Sequence, residues 1–350
     1  MKKPKRVSVH DVAEAAGVTI GSVSRVLNGG RYVSAELRAK VLAAAERLQY
    51  QPHAGARSLR MGRSKTIGCM VSEIENPLYA AFVAAVEAQV GQHGYTLLLA
   101  TSHHSRKREA EILEMFERRG MDGAVVTTSF TWDDERIDPF ATSTLPLVML
   151  DRESQLPLDQ VHMAHRDGIA QAVRYLHSLG HRRIALFSAG PGLRPTAERV
   201  AGYREAHARL GLKVDERLLR LAAAPTLSGF DDMRALLALA APPTAVIGLG
   251  TRLLSGAMQA LRERGLCVPQ DISVVAISSP TLLEFADPPL TYVHFNLEQA
   301  GRAAAQLLLE RLGEGQAQPS RSIVIPMELV VRESCAASVR AGHRSKVRNE

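Results

Sequence analysis

The sequence predicts a small all-α helix-turn-helix module at the N-terminus, followed by a larger α/β body built on parallel sheets. Three observations predict it. The excess of positive charge is confined to the first 65 residues, where 13 Lys and Arg face 4 acids, an excess of +9, while the rest of the chain holds 30 basic and 32 acidic residues. The same stretch carries three short amphipathic segments separated by capping residues and glycines. Beyond it, short continuous apolar runs alternate with longer segments of helical period, the pattern of strands covered by helices on both faces. At 350 residues the chain exceeds one compact core, so more than one domain is expected.

Each N-terminal helix has its own start and stop. Ser8 followed by Asp11 begins a capping box, and Val9, Val12, Ala13 and Ala16 recur at helical spacing until Gly17 ends the segment. Thr19 can cap a second helix with Ile20, Val23, Val26 and Leu27 on its apolar positions, ended by Asn28-Gly29-Gly30. Ser34 caps a third, with Leu37, Val41, Ala44, Ala45 and Leu48 along one face. A basic module with this patterning on a nearly neutral body points to a polyanionic partner for that module alone. A merely solubilising tail would lack the hydrophobic face.

In the body, strands are expected at Thr66–Val71, Thr96–Ala100, Gly123–Thr127, Leu147–Leu150, Arg183–Phe187, Ala245–Leu249 and Ser273–Ile277. Helices are expected at Leu78–His93, Arg106–Arg119, Asp167–Leu179, Ala197–Leu210 and Ser255–Arg264, enough units for two sheets. Aromatic residues are only 5% of the chain, so the core must rest on Ala, Leu, Val and Ile.

Composition and motifs exclude several classes. Cys69, Cys267 and Cys335 are far apart, which reads as reduced thiols without a zinc site. No apolar run follows the basic Met1–Arg6 segment, so no signal peptide, no membrane span and a cytoplasmic location are expected. Gly190-Pro191-Gly192 lacks the residues of a phosphate loop or dinucleotide fingerprint. His103-His104 and His162 with His165 lack a third ligand and read as solvated loop histidines. Neither a catalytic constellation nor a cofactor site is visible, and no enzyme is expected.

The run Val12-Ala13-Glu14-Ala15-Ala16-Gly17-Val18-Thr19, then Val23–Asn28, then Val33-Ser34, resembles the headpiece of the LacI/GalR family of bacterial transcription regulators. Leu48–Ala54 and Arg57–Arg60 resemble its hinge, and Asn76–Tyr79, Leu150–Arg152, Leu179–Ala185 and Glu198–Tyr203 resemble pieces of its body. The resemblance implies a headpiece at 1–52, a hinge at 53–65, a two-lobed periplasmic-binding-protein-like α/β domain with parallel sheets at 66–335, and a disordered basic tail at 336–350. The chain would cross three times between lobe 1 (about 66–165 plus 295–322) and lobe 2 (about 166–294 plus 323–335).

The same resemblance implies function. The second helix would enter the major groove of double-stranded DNA, with Ile20, Gly21 and Arg25 reading bases. Arg25 can fork onto guanine and Ile20 can touch a thymine methyl, whereas Gly21 leaves a base step loosely read. Thr19, Ser22, Ser24 and Asn28 suit phosphate contacts, and Ser34, His53 and Arg57 complete the DNA-contacting set. Leu59 holds the position of the hinge leucine that wedges into the minor groove. Gly55, where the family commonly has a bulky apolar residue, weakens the hinge helix by about 1 kcal/mol relative to Ala. Two headpieces on a near-palindromic operator require a homodimer, and the polar tail carries no heptad for a tetramer.

The expected effector set is Tyr79, Asp151, Arg199, Gly250, Thr251 and Ser278. Sugar-binding members of the family carry Asn-Asp and Asp where this chain has Gly250-Thr251 and Ser278-Ser279, and an aromatic near Ala224. Losing these acids while keeping Arg199 points to an effector bearing a carboxylate or phosphate. Other readings are a regulator whose cleft no longer binds an effector, a neutral-sugar sensor, a solute-binding protein and a non-specific DNA binder.

Overall fold

The computed structural model describes residues 7–27, 33–50, 63–128, 138–152, 156–190, 192–222, 228–250, 252–283, 285–314 and 319–338. The chain divides into two compact units at the Ser64–Lys65 boundary.

In the first unit, α1 (Val9–Ala16), α2 (Ile20–Leu27) and α3 (Ala35–Arg47) lie where their capping residues place them. The Ser8 hydroxyl accepts from the Asp11 amide while the Ser8 amide donates to the Asp11 carboxylate at 2.6 Å, closing the capping box. Gly17 ends α1 at φ +64°, a left-handed turn that a glycine adopts without strain. The Thr19 and Ser34 hydroxyls each accept an amide of their helix's first turn at 3.2 Å. Val12, Val23, Val26 and Val41 fill the centre, and Ala13, Ala44 and Ala45 let the three helices approach closely.

The second unit holds two six-stranded sheets. Its strands are β1 (Thr66–Val71), β2 (Thr96–Thr101), β3 (Gly123–Thr127), β4 (Leu147–Leu150), β5 (Asp159–Met163), β6 (Ile184–Ser188), β7 (Leu219–Leu221), β8 (Ala245–Leu249), β9 (Ser273–Ser278), β10 (Thr291–His294), β11 (Ser322–Ile325) and β12 (Leu329–Val330). The first sheet runs β11-β5-β4-β3-β1-β2, all parallel. The second runs β12-β10-β9-β8-β6-β7, parallel except for β12 against β10. All seven expected strands are present to within a residue at their ends. The unforeseen β5, β7, β10, β11 and β12 are short, and β5 alternates buried and half-buried side chains rather than forming an apolar run.

The chain passes between lobes three times: after β5 into the helix His165–Ser178, after β10 into the helix Leu297–Glu314, and between β11 and β12. Because β11 pairs with β5, the first lobe continues through Ile325, a correction to the boundary expected at 322. Each lobe's main helix pair meets at a glycine. A Cβ on Gly202 would lie 2.2 Å from the Arg166 carbonyl oxygen, and one on Gly301 would lie 2.6 Å from that of Phe82. Larger residues there would force the helices apart.

One buried apolar cluster runs through both lobes, and two others cover the outer faces of the sheets. The return from the helix Leu297–Glu314 into β11 is fixed by charge. Asp159 on β5 is fully buried and accepts from Arg311 at 2.6 and 2.8 Å and from the Arg321 amide at 2.8 Å. The tail also needs correction at its start: the Ala336 and Ser338 amides donate to Ser273 and to the Leu179 carbonyl, and His181 holds the Ala336 carbonyl at 3.0 Å. Residues 336–338 are therefore bound to the second lobe. Residues 339–350 lie outside the described set.

Candidate functional site

The first candidate surface is the outer face of α2. Val23 and Val26 point into the headpiece core, which turns Thr19, Ile20, Gly21 and Arg25 outward. Ile20, 39% exposed, is an apolar side chain that the fold leaves in solvent. Gly21 is not demanded by packing: a Cβ there would meet only the Thr19 hydroxyl, at 3.9 Å. Ser22 and Ser24 are half-buried beside this ridge, and Ser34 is exposed at the start of α3. Asn28, His53, Arg57 and Leu59 lie outside the described residues.

The second is a cavity of about 440 Å³ between the two lobes, lined from the carboxyl ends of strands in both sheets. Crevices at strand carboxyl ends are where open α/β sheets bind ligands. Tyr79, Asp151, Arg199 and Gly250 all line it. Thr251 and Ala224 lie outside the described residues. Ser278 does not line the cavity, a correction to the expected set. It is fully buried behind Gly250, where a Cβ on residue 250 would fall 2.6 Å from the Ser278 Cβ. The two positions are sterically coupled, so a larger residue at 250 needs Ser278 to give way.

The first lobe supplies acids. Asp151 follows β4 in a left-handed conformation at φ +51°. Its carboxylate accepts from the Met163 amide at 2.8 Å, from His165 Nε2 at 2.9 Å and from Arg194 of the second lobe at 3.2 Å. Burial alone would raise its pKa, but His165, the Met163 amide and Arg194 together hold it below the usual carboxylate range. His165 is fully buried; burial lowers its pKa against the pull of Asp151, whose carboxylate its Nε2 meets at 2.9 Å. The expectation of a solvated loop histidine is thereby corrected for His165; His162 lies half-buried on β5. Glu73 and Glu75, just beyond β1, stand at the rim.

The second lobe supplies cations. Arg199 is 3% exposed, donates to the Ser188 hydroxyl at 3.2 Å and lies 6.0 Å from the Phe295 ring centre. Among the described residues no carboxylate lies within ion-pair distance of it, and its buried Nε has no hydrogen-bond partner. Burial pushes its pKa down to about 10 against the pull of Asp151 and Tyr79. Burial also raises the Tyr79 hydroxyl. Arg252 reaches across the rim to Glu73 at 3.5 Å and Glu75 at 3.4 Å. Arg194, Arg252, Glu73, Glu75 and Phe295 were absent from the expected set. The strand-end rule could have found the two glutamates, because they directly follow an apolar run.

A helix-turn-helix headpiece on a two-lobed body with an inter-lobe cavity defines a ligand-responsive transcription regulator. Residues 8–53 match the model for bacterial regulatory proteins of the lacI family, and residues 173–335 match a periplasmic binding protein-like domain. The chain is 30% identical to the transcriptional regulator DegA of Bacillus subtilis, over 94% of this chain and 98% of that one. It is 33% identical to the ribose operon repressor of Escherichia coli K12, over 91% and 97%. The lac repressor dimer bound to operator and an anti-inducer superposes with a TM-score of 0.84 at 29% identity, covering 95% of this chain and 100% of that one. A CelR–cellobiose complex gives 0.70 at 31%, covering 94% and 100%. The chain belongs to the LacI family of bacterial transcription regulators. Among the described residues no helix is long and apolar enough to cross a membrane.

Proposed function

We propose that this chain is a cytoplasmic, dimeric repressor whose affinity for a near-palindromic operator is set by an anionic small molecule, bearing a carboxylate or phosphate, in the inter-lobe cavity. Arg199 carries the reading. A guanidinium taken out of water without an ion-pair partner is costly, by several kcal/mol, and an anion offered to its Nε, which has no partner among the described residues, would offset that cost. The surroundings favour the same ligand. The Asp151 carboxylate is already occupied by three donors, so it has little capacity left to accept from a sugar hydroxyl. The remaining polar groups on the second-lobe wall are mostly donors.

On the headpiece, Arg25 and Ile20 are the base-reading side chains and Gly21 leaves one step loosely read. Thr19, Ser22, Ser24, Asn28 and Ser34 fix the backbone register, with His53, Arg57 and Leu59 acting from the hinge. A single headpiece reads one half-site, which is why a twofold dimer is required.

Operator fragments selected from the source genome, followed by titration of the full chain with organic acids, phosphorylated compounds and neutral hexoses, test both halves. Acid binding that shifts operator affinity is the expected result. Tight binding of neutral hexoses without any response to acids overturns the effector assignment.

A further inference from the structure

We propose that Arg194 is the residue that selects effectors with two acidic groups over those with one; this rests on the anionic-effector reading above. Arg194 opens the helix Arg194–Arg209, and Arg199 stands on the same helix five residues later. At 1.5 Å and about 100° per residue their Cα positions differ by about 7.5 Å along the axis and stand about 140° apart around it, so a ligand that engages both must carry two separated acidic groups that reach them through the cavity. Both residues line the cavity. The helix start has no side-chain cap, and Leu193, Arg194, Pro195 and Thr196 all face the same space. The helix dipole therefore adds to the two cations there. The independent sign of a ligand is the Nε of Arg199, buried and without a partner among the described residues.

Arg194 can change partner without leaving a charge stranded. Its bond to Asp151 is the longest of the three that the carboxylate accepts, at 3.2 Å against 2.8 Å from Met163 and 2.9 Å from His165. When a second ligand carboxylate takes Arg194, Asp151 keeps the other two donors. The Arg194–Asp151 bond joins the lobes, so a diacid removes a bridge that a monoacid on Arg199 leaves in place. The two ligand classes then favour different degrees of lobe closure. The Arg252 pairs with Glu73 and Glu75 at the rim are untouched by this exchange.

Titration calorimetry of the full chain with unbranched dicarboxylates of four to six carbons, and with monocarboxylates of equal length, tests the assignment. The parent is expected to bind its best diacid at least tenfold more tightly than the matching monoacid. R194Q is expected to bring the two within about twofold by weakening the diacid alone, and R194K to retain part of the preference. A preference that survives R194Q, or equal binding of both classes by the parent, overturns the role of Arg194. A parent that binds neither class overturns the anionic-effector reading as well. Thermal melting of both variants checks that the fold is intact, and R194K keeps the test decisive if R194Q unfolds.

Discussion

The two recognition surfaces of this chain are built in opposite ways. On the headpiece, Thr19, Ile20 and Arg25 stand in solvent on a helix whose start is set by a side chain one residue before it. In the cleft, Arg199 is buried and Asp151 half-buried, and they are held by partners 11 to 43 residues away along the chain. The difference separates stability from recognition. An exposed reader can be removed without disturbing the fold, whereas a buried charge is coupled to the packing around it. Substitutions in the body should therefore move melting temperature and binding together, and removal of an exposed side chain on the α2 face should move binding alone.

The largest effect is expected where charge is most deeply buried. Asp159→Ala leaves Arg311 without its carboxylate in the interior, and a destabilisation of about 3–5 kcal/mol is expected in denaturant unfolding. The native ion pair also has a pH signature. Burial opposes ionisation of Asp159, but Arg311 and the Arg321 amide lower its pKa in the fold. Its contribution is therefore complete above the unfolded aspartate value, near 4, and is lost as pH falls through the lower folded value. Acid unfolding of the parent should steepen there, and that component should be missing in the Asp159→Ala chain.

Arg199 should behave in the reverse sense. A buried guanidinium without an ion-pair partner bears a desolvation cost that an apolar side chain of similar length does not. Arg199→Met should melt at or above the parent temperature while losing its response to anionic ligands. A variant that is strongly destabilised would show that Arg199 holds the lobe together rather than awaiting a ligand.

The same contrast decides what could be read from the sequence. Ser8 with Asp11, Thr19 and Ser34 announce the headpiece because each cap lies within three residues of the amide it satisfies. Parallel strands with both faces covered show as apolar runs, so the central strands of both sheets were legible. The helix Leu297–Glu314 was not anticipated. Its buried positions, Leu297, Ala300, Gly301, Ala304, Ala305, Leu307, Leu308 and Arg311, recur at helical spacing on one face against the first sheet and the helix Pro77–Gly91, so the local pattern did carry this element. The cleft was half legible. Tyr79, Asp151 and Arg199 came from resemblance, while Arg194 meets Asp151 across 43 residues and Arg252 meets Glu73 across 179. Local pattern carries no information about such pairs.

On the headpiece, Arg25→Ala should leave thermal unfolding within about 0.5 kcal/mol of the parent, as for an exposed position with no structural partner among the described residues. Operator affinity should fall by about 1–3 kcal/mol, with discrimination relaxed at one guanine. Fluorescence anisotropy on the selected operator and on single-base variants measures both. Full affinity and selectivity in a folded Arg25→Ala dimer would remove α2 from the reading of sequence.

Gly21→Ala is the finest test, because it is expected to improve the fold and disturb only recognition. A Cβ at this position meets nothing closer than the Thr19 hydroxyl at 3.9 Å, and alanine is favoured over glycine in a helix by about 1 kcal/mol. The headpiece transition should rise by an amount of that order. If the glycine serves DNA, by letting the backbone approach or by leaving a base unread, the added methyl should change affinity or base preference at one step of each half-site. A gain in stability with unaltered binding at every operator position would mean that Gly21 serves neither purpose, and that the stability it sacrifices has no return in recognition.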